Sequence, residues 1–232
     1  RAPPRLRRDH DAPAVGPWSS RESAARLRPP LMDSADAPLR RTSLYEQHRA
    51  LGGRLVPFAG WEMPVQYSGI VDEHHAVRKA AGIFDVSHMG ELVMAGPYAE
   101  AVVNYLVTND VRRLSDGQAL YTCCCNDRGT ILDDLLVYRA AAESFLIVCN
   151  ASNREKIAAH FRAAAEHHCD FEDKSDATAL IALQGPAAFA VLAQGGSDAA
   201  ALSSLAPFHF RDAIVCNVRA TVARTGYTGE DG

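Results

Sequence analysis

Two adjacent carboxylates stand inside an apolar run, Ile131-Leu132-Asp133-Asp134-Leu135-Leu136-Val137-Tyr138. On a strand they point to opposite faces, and each has apolar neighbours at i±2: Ile131 and Leu135 for Asp133, Leu132 and Leu136 for Asp134. A carboxylate in such company is costly unless it is paired or hydrogen-bonded. Enzymes accept that cost where they need a positioned base or a counter-charge for a cationic intermediate. A solvated strand end beside a turn is the plainer reading. The pattern alone leans slightly to it and leaves both open.

Other chemistry-bearing residues are weaker. Trp61-Glu62-Met63-Pro64 can line a pocket or plug a core edge, and the plug is the better reading. Ser87 and His88 are adjacent, so a strand points them apart, and no GxSxG motif supports a hydrolase triad. His74-His75 and His167-His168 lack HExxH-like spacing and read as solvated helix faces; no metal site is expected. Thr225-Gly226-Tyr227-Thr228-Gly229-Glu230-Asp231-Gly232 has too many glycines for a core strand and reads equally as a functional loop or a hairpin turn. The six cysteines include the run Cys123-Cys124-Cys125, which no strand can aim at one ion, and no CxxC pair exists. They read as small buried residues in a reducing compartment.

The elements that must position these residues come from 232 residues, enough for one large domain or two small ones. Hydrophobic residues are 47% and charged residues 22%, an ordinary globular balance, and the net charge of -4 argues against a nucleic-acid binder. No apolar stretch is long enough to span a bilayer as a helix. Residues 1–40 are rich in Arg, Pro and Ala without apolar periodicity, and are expected to be a disordered or non-native leader. Their arginines suggest a mitochondrial transit peptide, but Asp9, Asp11, Glu22, Asp33 and Asp36 argue against one, and Met32 is a candidate start.

Order is expected from near Ser43. Ser43-Leu44-Tyr45-Glu46 has capping-box spacing before a helix ended by Gly52-Gly53. A loop over 57–67, a helix over 70–81, strands over 83–86 and 91–95, and a helix from Gly96-Pro97 to Val107 follow. Residues 119–125 and 130–138 read as a hairpin turning at Asn126-Asp127-Arg128-Gly129, with a third strand over 145–149. Ser152-Asn153-Arg154-Glu155 is a second capping box, opening a helix to Glu166. A strand over 180–183 leads through Gln184-Gly185-Pro186 into a helix, and strands over 214–218 and 220–223 come last. Strands and helices without strict alternation predict an α+β fold, with mixed or antiparallel sheets and packed helices.

From about Ser43 onward these segments resemble the glycine-cleavage T-protein family. The carriers are Leu44-Tyr45-Glu46-Gln47-His48, Phe58-Ala59-Gly60-Trp61-Glu62-Met63-Pro64, Asp72-Glu73-His74-His75-Ala76-Val77-Arg78 and Phe84-Asp85-Val86-Ser87-His88-Met89-Gly90. Asn109-Asp110-Val111, Ile131-Leu132-Asp133-Asp134-Leu135, Leu183-Gln184-Gly185-Pro186 and Arg224-Thr225-Gly226-Tyr227-Thr228-Gly229-Glu230 complete the series in the family's order. The resemblance implies a folate-binding fold over 41–232, and an aminomethyltransferase reaction. In it, tetrahydrofolate as co-substrate takes a one-carbon unit from the aminomethyl-dihydrolipoyl arm of a carrier, the H-protein, and ammonia leaves. It implies Asp134 as the catalytic carboxylate, orienting the pterin and stabilising an iminium-like cation. It also implies Met89, Tyr121, Val137, Tyr138 and Asn150 as residues lining the folate pocket.

The family continues past the position of Gly232 with a glutamate, a folate-holding arginine and a C-terminal barrel domain. The region is therefore expected to be an incomplete, C-terminally truncated folate-binding part. Sarcosine- or dimethylglycine-oxidising enzymes share the motifs but place a GxGxxG flavin domain upstream, which is absent here. A non-catalytic folate-binding scaffold, related to iron–sulfur assembly factors, is the rival reading. A monomer in the bacterial cytoplasm, binding neither nucleic acid nor membrane, is expected, with the mitochondrial matrix as the other location.

Overall fold

The computed structural model describes residues 38–196 and 202–232. Among them the elements run α1 (Tyr45–Ala50), β1 (Arg54–Phe58), β2 (Trp61–Gln66), α2 (Ile70–Lys79), β3 (Gly82–Asp85), β4 (Gly90–Ala95) and α3 (Ala99–Leu106). Then follow β5 (Gln118–Cys125), β6 (Ile131–Ala141), β7 (Ser144–Cys149), α4 (Arg154–Ala165), β8 (Asp170–Asp173), β9 (Ile181–Gln184), α5 (Ala188–Gln194), β10 (Phe210–Val215) and β11 (Val218–Ala223).

The centre is an antiparallel sheet in the order β5-β6-β7-β4-β8. Its register sorts the side chains into two faces. Leu120, Leu135, Val137, Phe145, Ile147, Leu92 and Met94 point one way, and α3 and α4 cover them. The spacing explains why these helices form and dock. Ala99, Val102, Val103 and Leu106 recur on one stripe of α3, and Ile157, Ala158, Phe161 and Ala165 on one stripe of α4. The result is a dry core in which Phe145, Phe161, Ile147 and Ile157 meet no solvent.

The other face carries Tyr121, Asp134, Leu136, Tyr138, Val148 and Glu91. Only part of it is covered. Met89, Ala119, Leu136, Tyr138 and Val148 form a small second core with Val86, Leu180, Phe210 and Ala223 packed against it. The β10–β11 hairpin reaches this face, and the Phe210 ring meets Tyr138 edge-on at 5.3 Å. Around the central sheet lie three two-stranded antiparallel ribbons, β1–β2, β3–β9 and β10–β11. The expected α+β class with antiparallel sheets and packed helices is what forms.

Several local expectations differ. Residues 57–67 are not a loop. Pro57 and Pro64 mask a two-stranded hairpin, where a proline can face away from the ladder and remove no bond. Its turn places Ala59 and Gly60 at φ 50° and 82°. The last strand pair turns at Cys216-Asn217, φ 49° and 63°, so the expected strand over 214–218 runs through a tight turn. Without a glycine there, Ile-Val-Cys-Asn-Val reads as an unbroken strand. β8 was not foreseen, because Asp170-Phe171-Glu172-Asp173 is too acidic to signal an edge strand.

Neither capping box closes. Leu44 and Asn153 occupy the N-cap positions without side-chain cap bonds. Thr42 and Asn153, the nearby capping-type residues, spend their side chains on Asp85 and Asp133 instead. His167 and His168 are exposed as expected but lie in the turn after α4, not on a helix face. The cysteines are all free, yet only Cys124 and Cys149 are buried, and Cys216 is exposed at its turn. The expected leader over 1–40 lies outside the described residues except for its last three. Of these, Arg40 already pairs with the β1–β2 hairpin, its N–H donating to the Gly60 carbonyl at 2.9 Å.

Candidate functional site

Asp133 and Asp134 illustrate how one strand makes two environments. Asp133 points to the helix side and is 3% exposed. Its carboxylate accepts from the Asn150 N–H (2.9 Å), the Asn150 Nδ2 (2.9 Å) and the Asn153 Nδ2 (2.6 Å). These bonds satisfy its buried charge and fasten the β7–α4 connection to β6. Asp134 points to the other face and is exposed. Tyr121, on the neighbouring strand β5, donates its hydroxyl to Asp134 Oδ2, and Asn150 Nδ2 donates to Oδ1 at 3.1 Å. Asn150 Nδ2 also reaches the Asp134 carbonyl at 2.8 Å, so one amide ties both acids together.

The cross-strand register places a floor beneath Asp134. Leu136 stands opposite Tyr121 and Val148, and Tyr138 stands opposite Ala119 and Leu146. Met89 and Tyr138 are 7% and 6% exposed, so they form the buried base of this face. The Tyr138 hydroxyl lies 3.3 Å from Thr225 Oγ1, which brings the glycine- and threonine-rich segment over the same face. Burial holds the Tyr138 phenol above its ordinary value. The hydrogen bond to Asp134 pushes the Tyr121 phenol up to about 12, so it remains a donor at neutral pH.

Of the residues expected at the site, the structure brings Asp134, Tyr121, Asn150, Met89 and Tyr138 together on one face. Val137 is the correction. It alternates with Leu136 and Tyr138, so its side chain enters the helix-side core and is 0% exposed. Its side chain therefore does not line this face.

Two residues emerge here that sequence reasoning did not single out. Tyr227 is half exposed as a whole residue. Burial first, then neighbouring Tyr138, Glu91, Tyr121 and Asp134, holds its phenol well above the usual range. The signal in the sequence was one large aromatic among glycines and threonines. Glu91 sits on the same face, opposite Val148, 2% exposed, with neither carboxyl oxygen hydrogen-bonded. Burial pushes its carboxyl up to about 8 against the opposing pull of Arg154, with Asp173 adding to the rise. It is a neutral acid at pH 7. Nothing in its Gly-Glu-Leu-Val setting distinguished it from a solvated strand residue. Among the described residues, no three His, Cys, Asp or Glu side chains cluster as metal ligands.

An exposed carboxylate fixed by a phenol and an amide, over an apolar aromatic floor, is equipped to hold a flat polar heterocycle and steady a developing positive charge. Comparison with known proteins agrees with the motifs. The model of the GCVT N-terminal domain matches residues 44–232. The chain belongs to that family. It is 53% identical over 199 residues to an aminomethyltransferase of Rubrobacter xylanophilus, covering 85% of this chain and 53% of that protein. An aminomethyltransferase of Thermotoga petrophila is 47% identical over 198 residues, with 84% and 53% covered. Among solved structures, glycine cleavage system aminomethyltransferase T from Bartonella henselae superposes with a TM-score of 0.74. It is 36% identical, with 83% of this chain and 52% of that one covered. The chain thus spans about half the length of the curated relatives it matches.

Proposed function

We propose that this chain is the folate-binding part of an aminomethyltransferase of the glycine cleavage type. It moves a one-carbon unit from the aminomethyl-dihydrolipoyl arm of the H-protein to tetrahydrofolate, with release of ammonia. The observation that carries the reading is Asp134, an exposed carboxylate held by Tyr121 and Asn150 on the one face of the central sheet that helices leave uncovered. The names of the relatives support the reaction class.

In this reading Asp134 does two things. It accepts a hydrogen bond from the pterin and so orients the nucleophilic amine, and its negative charge stabilises the cation that develops on the transferred carbon. Tyr121 and Asn150 keep the carboxylate in place. Met89, Leu136 and Tyr138 give apolar support from below, and the segment carrying Tyr227 reaches the same face where Thr225 meets Tyr138. A monomer in the bacterial cytoplasm belongs to the same reading, and the bacterial relatives support its location alone. No described helix is long and apolar enough to cross a membrane.

The test follows ammonia released from an aminomethylated lipoyl carrier with tetrahydrofolate added or withheld, beside a calorimetric titration with tetrahydrofolate. Tetrahydrofolate-stimulated release supports the transferase. Saturable binding without release replaces it with a non-catalytic folate scaffold, and neither binding nor release overturns both.

A further inference from the structure

The segment over 224–231 has no regular secondary structure, yet it carries Tyr227, two residues beyond the Thr225 whose hydroxyl lies 3.3 Å from that of Tyr138 on the Asp134 face. Its shape must come from somewhere other than a helix or a ladder. Arg78–Glu230 (2.8 Å) and Arg224–Asp231 (3.2 Å) are ion pairs at its rim, both with solvent-exposed partners, and such pairs restrain weakly. The buried restraint is Gln184, the last residue of β9, 2% exposed. Its Oε1 accepts from the Tyr227 N–H at 3.1 Å and from the Thr228 hydroxyl at 3.0 Å.

The neighbouring backbone strengthens the anchor. The Gly185 N–H donates to the Asp231 carbonyl at 2.7 Å, and the Ala187 N–H donates to the Ala80 carbonyl at 2.8 Å. Gly185 has φ +123°, and a Cβ there would meet the Ala80 and Val77 carbonyl oxygens at 2.5 and 2.6 Å. No other residue fits that approach. The turn is therefore rigid between α2 and the 224–231 segment, and Gln184 stands on it as a fixed acceptor.

We propose that Gln184 is a positioning residue whose buried amide oxygen sets Tyr227 over the Asp134 face and thereby tightens tetrahydrofolate binding. The inference rests on the folate reading of that face. Gln184 touches no ligand itself; it acts through the peptide that carries the phenol. Beyond Arg224 the segment lies outside any helix or strand, and an acceptor that fixes one peptide selects the conformer that binds.

The test is a double-mutant cycle read by tetrahydrofolate titration of the whole chain, with melting midpoints and the exchange rate of the Tyr227 amide followed alongside. Gln184→Met keeps the volume and removes the acceptor. It is expected to speed exchange at Tyr227 and weaken binding about tenfold, as loss of roughly 1.4 kcal/mol of hydrogen bonding does. Thr228→Val removes one of the two donors from the segment's side, and is expected to weaken binding about threefold. That variant carries the test if Gln184→Met does not fold. In a Tyr227→Ala background neither change is expected to weaken binding further.

The inference is overturned if folded Gln184→Met, or Thr228→Val, binds as the parent does. Equal weakening with and without Tyr227 also overturns it, because Gln184 then acts by another route. So does undiminished binding by Tyr227→Ala. A parent protein that takes up no tetrahydrofolate overturns the folate reading itself, and that result is in hand before any variant is made.

Discussion

On the helix side of the central sheet, Asp133 is enclosed and hydrogen-bonded by Asn150 and Asn153, on the face that carries the main apolar core. On the opposite side, one residue along the same strand, Asp134 is exposed, with one phenol and one amide holding it. The two faces differ in what they leave unfinished. The helix side is a completed interior, where apolar burial stabilises and the single carboxylate serves as a clamp for the β7–α4 turn. The other side keeps a half-covered apolar floor, an exposed acid, a neutral buried acid and three phenols. That difference teaches where function sits: the completed face bears the fold, and the incomplete one is free to bind.

Phe161→Ala empties the helix-side core, and its expected cost is the largest, about 3–5 kcal/mol. Thermal or urea unfolding measures it, and a loss under about 1 kcal/mol would mean that face is not the completed interior described. Asp133→Ala comes next. It strands the Asn153 amide and the Asn150 N–H, and is expected to lower stability by roughly 2–3 kcal/mol. Stability equal to the parent's would remove the clamp from the account.

Glu91 sharpens the comparison through pH. Its carboxyl ordinarily titrates at 4.5 and is raised to about 8 when folded. Between those values the folded protein keeps a proton that the unfolded chain has released. Stability therefore falls as pH rises through that window, and levels off above it. Glu91→Gln is expected to flatten that slope in melts taken across the window; an unchanged slope would assign the proton to another group. The smallest effect belongs to Tyr121→Phe. The phenol is half exposed, so its bond to Asp134 is partly screened, and transfer is expected to slow only about threefold. A loss near a hundredfold would instead make Tyr121 a proton-transfer group.

Much of this was legible in the sequence. The Gly96-Pro97 start marked α3, the Ser152 spacing marked α4 although its capping box does not close, and the β6 run with its Asn126-to-Gly129 turn gave the central hairpin and the opposite aim of the two acids. Elements hidden by their residue types were less legible: prolines obscured β1–β2, acids obscured β8, and the Cys216-Asn217 turn carried no glycine to mark it. The motif resemblance named Asp134, Tyr121, Asn150, Met89 and Tyr138, which the fold brings to one face. Val137 failed because strand alternation, visible in the sequence, places it on the other face. The 225–232 segment was legible as a candidate functional loop, but the roles of Glu91, Tyr227 and Gln184 were not, because they depend on which distant segment lies over the sheet. No local pattern encodes that contact.

The most direct measurement of the central claim is Asp134→Asn, assayed for tetrahydrofolate-dependent ammonia release from the aminomethylated carrier with its melting midpoint taken on the same sample. The account predicts an unchanged midpoint and release reduced by at least about a hundredfold. Release equal to the parent's would contradict it, and so would a midpoint that drops as far as that of Asp133→Ala, since Asp134 would then be part of the fold's support and not of its chemistry.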